Sequence, residues 1–198
     1  MELIVLATRN AGKASELARL LHGMAERLES LRDHPTIPLP DEGETSYREN
    51  ALAKARAVNG ALGVPALGDD SGLEVDALDG APGIRSARYA GDLAPDRLHN
   101  ERLLEALRGV PLERRTARFR CVLAMVLAPD DEVVVEAVSE GRIATGPRGT
   151  DGFGYDPLFE PVGSSLTFAE MPGPAKDALS HRARAAIALR AAVASIWR

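Results

Sequence analysis

The amino-acid sequence predicts an α/β fold with a mixed β-sheet. Short apolar runs alternate with helix-period patterns in the first half, and two long β-type runs follow in the middle. The chain has 198 residues, of which 45% are hydrophobic and 27% are charged, a composition typical of folded globular proteins. Because no repeat or long linker divides it, residues 1–198 are expected to form a single domain.

Composition and charge exclude several classes of protein. No apolar stretch approaches the roughly 20 residues that cross a bilayer, and the first residues lack a signal-peptide pattern, so a cytoplasmic protein without membrane contact is expected. The single cysteine, Cys121, rules out an internal disulfide and a Cys-rich zinc site. A net charge of −5 opposes broad binding to nucleic acid, although a few cations and a metal ion can still bind a polyanion locally.

The first elements follow from apolar runs and spacing. Leu3–Thr8 is a short apolar run, which predicts a buried parallel strand. Apolar residues at steps of three and four predict a helix over Lys13–Leu28, and the three prolines in Leu31–Pro40 allow an edge strand at most. Ser46 and Glu49 are spaced as a capping box, which predicts the start of a second helix.

The second half adds strands and two further helices. GLEVDAL (residues 72–78) predicts a strand, and Pro95–Arg108 predicts a helix with Pro95 in its first turn. Two β-type runs, Thr116–Ala128 and Glu132–Thr145, flank a short PDD turn and predict an antiparallel hairpin. The last helix is predicted from about Ser180, with an apolar stripe of Ala183, Ala186, Ile187, Val193 and Trp197.

A polar turn between the first strand and the first helix is the first candidate site. In TRNAGKASEL (Thr8–Leu17), backbone N–H groups and the positive end of the helix dipole meet the charge of Lys13, which favours phosphate binding. The turn is not a P-loop, because Ala7 and Ala14 replace the required Gly and Ser or Thr. The alternative is an ordinary capped turn with a solvated lysine.

Two acidic segments are the next candidates. In the segment from residue 40 to 55, Asn50 and Lys54 are four residues apart and can present an amide and an ammonium on one helix face, although a solvated face is the alternative. In GDDSG, Asp69 and Asp70 repel each other unless a cation lies beside them. Mg²⁺ is typically bound by one or two carboxylates together with waters and substrate phosphates, whereas a plain polar turn is the alternative interpretation.

Two later segments carry aromatic and cationic residues. GTDGFGYDPLF places Phe153 and Tyr155 in a glycine-rich loop where a nucleobase could stack, or where both rings could instead pack on the core. KDALSHR gathers Lys176, His181 and Arg182 near the start of the last helix, a combination that favours recognition of an anion or a carbonyl.

Together these segments resemble one enzyme family. The set ATRNAGK, ENALAKA, DDSGLEVDALDGAPGIRSARYAG, GFGYDPLF and SHRARA is similar to the inosine/xanthosine triphosphate pyrophosphatase family, and the similarity runs from about Leu3 to Ile187. The resemblance implies an elongated mixed β-sheet with flanking helices, and two lobes around a central substrate cleft. It also implies a homodimer.

The resemblance also implies roles for individual residues. The triphosphate would be held by Thr8, Arg9, Asn10, Ala11, Gly12, Lys13 and Lys54. Mg²⁺ would be bound by Glu42 and Asp70, with Asp70 also the proton acceptor, Asp69 supporting the waters of the metal, and Ser71 contacting the substrate. Base and sugar would be enclosed by Phe153, Gly154, Tyr155, Asp156, Lys176, His181 and Arg182. The chain has DEGET where members often have EETG, which leaves Glu44 as an alternative to Glu42, and Ala183 where glycine is common.

The implied activity is hydrolysis of dITP, ITP and XTP or dXTP to the monophosphate and pyrophosphate with Mg²⁺, which would cleanse the nucleotide pool. One alternative is a pyrophosphatase for modified pyrimidine nucleotides, and another is a nucleotide-binding regulator without catalysis. A phosphotransferase is a third, although the usual phosphate-binding motif is incomplete.

Overall fold

The computed structural model describes residues 1–196, with side chains up to Ser195, and its elements form the predicted α/β fold. The strands are β1 (Leu3–Leu6), β2 (Arg27–Ser30), β3 (Ala66–Val75), β4 (Pro82–Gly83), β5 (Thr116–Ala128), β6 (Asp131–Ile143) and β7 (Phe159–Pro161). The α-helices are α1 (Ala11–Leu20), α2 (Tyr47–Leu62), α3 (Asp96–Ala106), α4 (Gly173–Leu179) and α5 (His181–Ile196).

The sheet is mixed, as predicted. Its strand order is β2-β1-β3-β5-β6-β7, and β4 pairs with β3. β1 runs parallel to β2 and to β3, with Leu6 opposite Leu67, whereas β4 and β7 are antiparallel to their neighbours. Within residues 1–196, none of the helices combines the length and the apolar run that crossing a lipid bilayer requires.

The chain forms two compact units. Among the described residues, the first contains residues 1–70, 121–137 and 182–196, and the second contains residues 71–120 and 138–181. The chain passes between the units four times. Three passages lie within strands, after Asp70 in β3, after Arg120 in β5 and after Ala137 in β6, and the fourth follows His181 at the start of α5.

In the first unit, the two faces of β1 are covered by different helices. Ile4 and Leu6 are buried in a cluster with α1 and α5, whereas Val5 is buried with Val58 of α2 on the other face. Successive strand side chains point to opposite faces, so a strand covered on both sides is apolar at every position. This explains why the run at Leu3–Thr8 lacks polar alternation.

The second unit has its own aromatic core. Phe119 of β5 packs against Phe159 of β7 with ring centroids 4.7 Å apart, and Phe159 lies 5.1 Å from Phe168. Leu73 of β3 and Leu103 of α3 are fully buried in the same cluster. The tilted ring pairs match the geometry that aromatic side chains prefer.

Four predicted elements are confirmed closely. β1 is a buried parallel strand, and the two β-type runs form β5 and β6, neighbours in the sheet with only two residues between them. Helix α2 begins after Ser46, whose hydroxyl accepts from the Glu49 N–H at 3.1 Å. Local capping and turn chemistry therefore identify these boundaries.

The first predicted helix is wrong in its second half. α1 ends at Leu20, Gly23 adopts a φ of +84°, and Leu28 lies in β2 opposite Ile4 rather than in a helix. Apolar spacing alone cannot reveal that β1 offers a free edge for parallel pairing, and this tertiary contact overrides the helical pattern. Residues 31–40 contain no strand.

Other boundaries are also corrected. GDDSG was expected at the junction before a strand but lies inside the ten-residue strand β3, and Pro95 is the N-cap of α3 rather than a residue of its first turn. The C-terminal helix is preceded by a separate helix, α4, because Ser180 is extended with ψ 147°. Ile187 is 68% exposed, so its place in the apolar stripe is wrong, whereas Ala183, Ala186 and Val193 are buried as predicted. Trp197 lies outside the described residues.

One glycine of β3 tests this packing. A Cβ on Gly68 would lie 1.9 Å from the carbonyl oxygen of Ala51 in α2, so α2 must move away from β3 in a Gly68→Ala variant. We expect the free energy of unfolding to fall by about 1–3 kcal/mol or more, the usual cost of overpacking, measured by urea unfolding.

Gly60→Ala is the matched control. Gly60 is an exposed residue of α2 with nothing within 4 Å of its Cβ position. Alanine there should raise the free energy of unfolding by about 0.5–1 kcal/mol through its better helix propensity. Equal effects of the two substitutions would contradict the close packing of α2 on β3.

Candidate active site

Two neighbouring carboxylates of β3 lie at the centre of the charged residues in the first unit. Asp69 and Asp70 are 3% and 4% exposed. Because successive side chains of a strand point to opposite faces, these adjacent residues meet different partners. The strand geometry therefore separates two like charges that the sequence places side by side.

Asp69 is held by two cations. Its Oδ1 accepts from Lys13 Nζ at 2.5 Å, and its Oδ2 accepts from Arg182 Nε at 2.7 Å. Cys121 Sγ lies 3.7 Å from the same Oδ2. Burial would raise the pKa of Asp69, but Arg182 and Lys13 outweigh it and hold the pKa well below its ordinary value. Asp69 is therefore a fixed negative charge.

A second carboxylate completes this group from α1. Glu16 is 4% exposed, and its Oε2 accepts from Arg182 Nη1 at 2.5 Å. Burial would lower the pKa of Arg182, but Asp69 and Glu16 raise it above its ordinary value, so the guanidinium remains charged. Buried ions require such partners, because an unpaired charge in the interior is far more costly.

Asp70 has a different environment. Its Oδ1 accepts from Lys54 Nζ at 3.1 Å, and its Oδ2 accepts from Asn50 Nδ2 at 3.0 Å. Burial raises the pKa of Asp70, and nearby Glu42 adds to the rise against the opposing effect of Lys54. Asp70 therefore binds a proton more readily than an ordinary aspartate.

The loop before α2 brings a second acid to Lys54. Glu42 Oε1 lies 2.5 Å from Lys54 Nζ, and both N–H and C=O of Gly43 are hydrogen-bonded to Asn50. Burial would lower the pKa of Lys54, but Asp70 and Glu42 raise it instead. The alternative acid, Glu44, is exposed.

These groups contain more acids than bases. The cations are Lys13, Lys54 and Arg182, and the anions are Glu16, Glu42, Asp69 and Asp70. Within residues 1–196, no three His, Cys, Asp or Glu side chains gather as a metal-binding group. Two hard carboxylate donors around one lysine nevertheless fit Mg²⁺, which typically takes one or two protein carboxylates.

The predicted phosphate turn leads into α1 as expected. Asn10 is the N-cap, and its Oδ1 accepts from the Lys13 N–H at 2.9 Å, while Thr8 Oγ1 accepts from the Asn10 N–H at 3.2 Å. Ala11 and Gly12 are the first two residues of the helix. Arg9 instead donates to the carbonyl of Ile37 at 2.6 Å, which anchors the neighbouring loop.

In the second unit, residues 149–156 form a glycine-rich segment that we call the aromatic loop. Asp156 Oδ2 accepts from the Phe153 N–H at 2.9 Å and from Lys176 Nζ at 2.6 Å. The Lys176 ammonium lies 5.3 Å from the Phe153 ring centroid and 5.6 Å from that of Phe168. Lys176 thus combines an ion pair with cation–π contacts.

The remaining predicted residues of this unit lie as follows. Tyr155 is buried and donates its hydroxyl to the Ser86 carbonyl at 2.9 Å, and burial raises its pKa. The His181 ring is stacked on Phe119 with centroids 4.6 Å apart. Ser71 is half-buried and follows Asp70 in β3.

The structure brings together most of the predicted residues of the first unit, and those of the aromatic loop with Lys176 in the second. Lys176 lies in α4 rather than at the start of the last helix. Sequence reasoning missed Glu16, which follows Lys13 by three residues on α1, and placed Asn50 on one helix face with Lys54 without predicting its contact with Asp70. The four-residue spacing of Asn50 and Lys54 was the available signal for the latter.

Comparison with known proteins identifies the family. The model of the Ham1 family matches residues 4–192, nearly the whole chain. The chain belongs to the Ham1 family. The matched region includes all the charged residues described above in the first unit and the Asp156–Lys176 ion pair of the second unit.

Known relatives match over most or all of their length. The chain is 47% identical to a dITP/XTP pyrophosphatase of Geobacter sulfurreducens over 190 residues, which is 96% of each chain. The structure of a HAM1 protein from Coxiella burnetii matches with a TM-score of 0.86 at 38% identity, covering 98% of this chain and 100% of that one. The Staphylococcus aureus Ham1 protein matches with a TM-score of 0.84 at 35% identity, covering 100% of both chains.

The two aspartates of this Ham1 chain should respond oppositely to the same substitution. Asp69→Asn removes the buried carboxylate that pairs with both Arg182 and Lys13, leaves Glu16 as the charged partner of Arg182, and should lower the free energy of unfolding at neutral pH by about 3–5 kcal/mol. Asp70→Asn should leave it unchanged or raise it, because burial disfavours the ionised carboxylate there. Urea unfolding near pH 7 measures both, and equal losses would contradict the assigned environments.

The pH dependence follows from the two pKa directions. The stability that Asp69 contributes is fully present above the ordinary pKa of 3.8 and is lost as the pH falls through the lower folded-state pKa. The difference in free energy of unfolding between the wild type and the Asp69→Asn variant should therefore become smaller only in strong acid. The pKa of Asp70 is raised, so its ionisation cost appears as the pH rises through the ordinary and folded-state values.

Proposed function

We propose that this chain is a nucleoside triphosphate pyrophosphatase that hydrolyses dITP, ITP, and XTP or dXTP to the monophosphate and pyrophosphate. The names of the full-length relatives support this substrate class. The single observation that supports the chemistry is the pair of buried aspartates in β3, because two cations lower the pKa of Asp69 whereas burial raises the pKa of Asp70. Such a separation of pKa values is typical of acid–base sites.

Asp70 is the proposed general base. In the reaction, a water oxygen attacks the α-phosphorus, the bond from that phosphorus to the α,β-bridging oxygen breaks, and pyrophosphate leaves. Asp70 takes the proton of the attacking water, and its raised pKa makes it a better acceptor than an ordinary aspartate. Asn50 orients the carboxylate through the 3.0 Å hydrogen bond to Oδ2.

The cations of the first unit are proposed to bind the triphosphate. Lys13 and Lys54 place positive charge where negative charge accumulates on the departing pyrophosphate. The turn from Thr8 to Lys13 adds the N–H groups of the first turn of α1, where the helix dipole favours anions. Both lysines are paired with carboxylates, which fixes their side chains.

Glu42 and Asp70 would hold Mg²⁺, with Asp69 in support. When bound, Mg²⁺ supplies positive charge to the phosphates and lowers the pKa of a bound water. The excess of acids over bases in the first unit supports this assignment, because a polyanion would otherwise meet net negative charge. The position of Glu42 on Lys54 favours it over the exposed Glu44.

Base selectivity is assigned to residues of the aromatic loop and of the segment from Lys176 to Arg182. Phe153, Gly154, Tyr155 and Asp156 are proposed to enclose base and sugar. Inosine and xanthosine carry a carbonyl at position 6, to which Lys176, His181 and Arg182 are the proposed donors. Adenine presents an amino group there, and an unpaired buried donor costs about 1–3 kcal/mol, or roughly 5- to 150-fold in selectivity per contact.

The proposal also includes a cytoplasmic homodimer that removes deaminated nucleotides before their incorporation into nucleic acid. Light scattering after size-exclusion chromatography measures the assembly, and a mass of one chain at micromolar concentration would contradict the dimer.

A substrate panel tests the activity. Purified protein with Mg²⁺ should release pyrophosphate and monophosphate from dITP, ITP and XTP, and far more slowly from dATP, dUTP and methylated pyrimidine triphosphates. Preferred cleavage of a pyrimidine nucleotide would favour the alternative substrate class. Binding of dITP without products would favour a regulator, and release of diphosphate and phosphate would exclude this reaction.

Asp70→Asn tests the base. Pyrophosphate release from dITP should fall by about 100- to 10,000-fold, the usual contribution of a general base. Glu132→Gln is the control, because Glu132 is a carboxylate of the same unit that pairs with the exposed Arg56, and it should keep wild-type activity. Removal of metal by a chelator should also abolish turnover, and Mg²⁺ should restore it.

A further inference from the structure

The position of Phe153 depends on contacts from outside the aromatic loop. Gly149, Gly152 and Gly154 adopt φ values of +78°, +77° and +62°. Glycine gives the backbone access to this left-handed region but leaves the unfolded segment highly flexible. The loop has no helix or strand of its own before β7 begins at Phe159. Its conformation is therefore set by the groups that bind its backbone.

Two carboxylates hold the peptide groups on either side of the Phe153 Cα. The Phe153 N–H donates to Asp156 Oδ2 at 2.9 Å. The Gly154 N–H, which belongs to the next peptide plane, donates to Asp96 Oδ2 at 2.6 Å. Since peptide groups are planar, fixing both planes fixes the backbone dihedrals of Phe153 and the direction in which its ring leaves the backbone.

A second residue of α3 binds the other end of Gly154. Asn100 Nδ2 donates to the Gly154 carbonyl at 2.9 Å. Asp96 and Asn100 are four residues apart in α3 and so lie on one face of the helix. Both the N–H and the C=O of one glycine are thus attached to the same eleven-residue helix.

The buried position of Asn100 is explained by the hydrogen bond of its amide to Gly154 and not by packing alone. Asn100 is 8% exposed, and its Oδ1 is buried with no hydrogen-bond partner in the part of the chain that the structure describes. A buried polar atom without a partner is unfavourable, so an apolar side chain such as that of neighbouring Leu103 would be expected there for packing alone. The Nδ2 donation to Gly154 is the contact that the asparagine makes and an apolar residue would lose.

We propose that Asp96 and Asn100, which we call the α3 clamp, are positioning residues that hold the Phe153 ring in place for the nucleotide base. This inference rests on the proposed function, because it takes Phe153 as a base contact. The clamp acts through Gly154, and neither of its residues is among those proposed to bind the phosphates. Loss of the clamp therefore weakens binding of the base and leaves binding of the polyphosphate unchanged.

Steady-state kinetics with dITP tests the clamp. Asp96→Ala removes the acceptor, and Asn100→Leu removes the donor with an apolar side chain of similar size. Each should raise KM for dITP by about 3- to 30-fold, the loss of one hydrogen bond, and change kcat by less than about twofold. Asp96→Asn keeps an acceptor oxygen and should restore most of the affinity. The inhibition constant of inorganic tripolyphosphate, which lacks a base, should stay at the wild-type value in all variants.

A matched control lies on the same helix. Glu101→Gln alters a 54% exposed carboxylate of α3 that pairs with Arg97, and should match the wild type in every readout. Hydrogen exchange of residues 149–156 should accelerate in the two disruptive variants and not in the control.

The outcomes separate the inference from the function it rests on. Variants with wild-type KM, or with tripolyphosphate inhibition weakened as much as dITP binding, overturn the clamp while the proposed function stands. A wild type that turns over none of the nucleotides overturns the proposed function itself, and with it the clamp.

Discussion

The buried carboxylate of Asp69 is the constraint on which the rest of the first unit depends. It lies 56 residues from Lys13 and 113 residues from Arg182 in the sequence, yet it is bonded to both. A carboxylate that is 3% exposed is tolerable only while these cations are in place. The pair with Arg182, together with Glu16, therefore links α1, β3 and α5, and the same contacts place Lys13 at the end of the phosphate turn.

The alternation of side chains along β3 turns two identical residues into two different chemical groups. Asp69 faces Arg182 and Lys13, so its charge is fixed. Asp70 faces Lys54 and Asn50. Burial raises the pKa of Asp70 by more than these two partners lower it, so its affinity for protons rises. A strand, unlike a flexible turn, keeps these environments apart, and this supports the different roles proposed for the two residues.

In the second unit, the main structural constraint is the position of the Phe153 ring, which lies on a loop. Gly152 allows the Asp156 carboxylate to approach, since a Cβ there would lie 2.0 Å from Asp156 Oδ2. Glycine also makes the backbone of the loop more flexible, and the hydrogen bonds of the loop backbone with Asp156 and with α3 restrict this flexibility. The Phe153 ring then meets the Lys176 ammonium, which is itself tied to Asp156.

The sequence by itself determined the features that are local. The apolar run of β1, the Ser46 cap and the β5–β6 runs were predictable because side-chain alternation, capping and turn chemistry act over a few residues. Only the tertiary structure decided that the chain after α1 forms β2, and which partner each buried charge has, as with Glu16 and Arg182. These depend on sheet register and helix packing between segments far apart in the chain, where no local pattern carries the information.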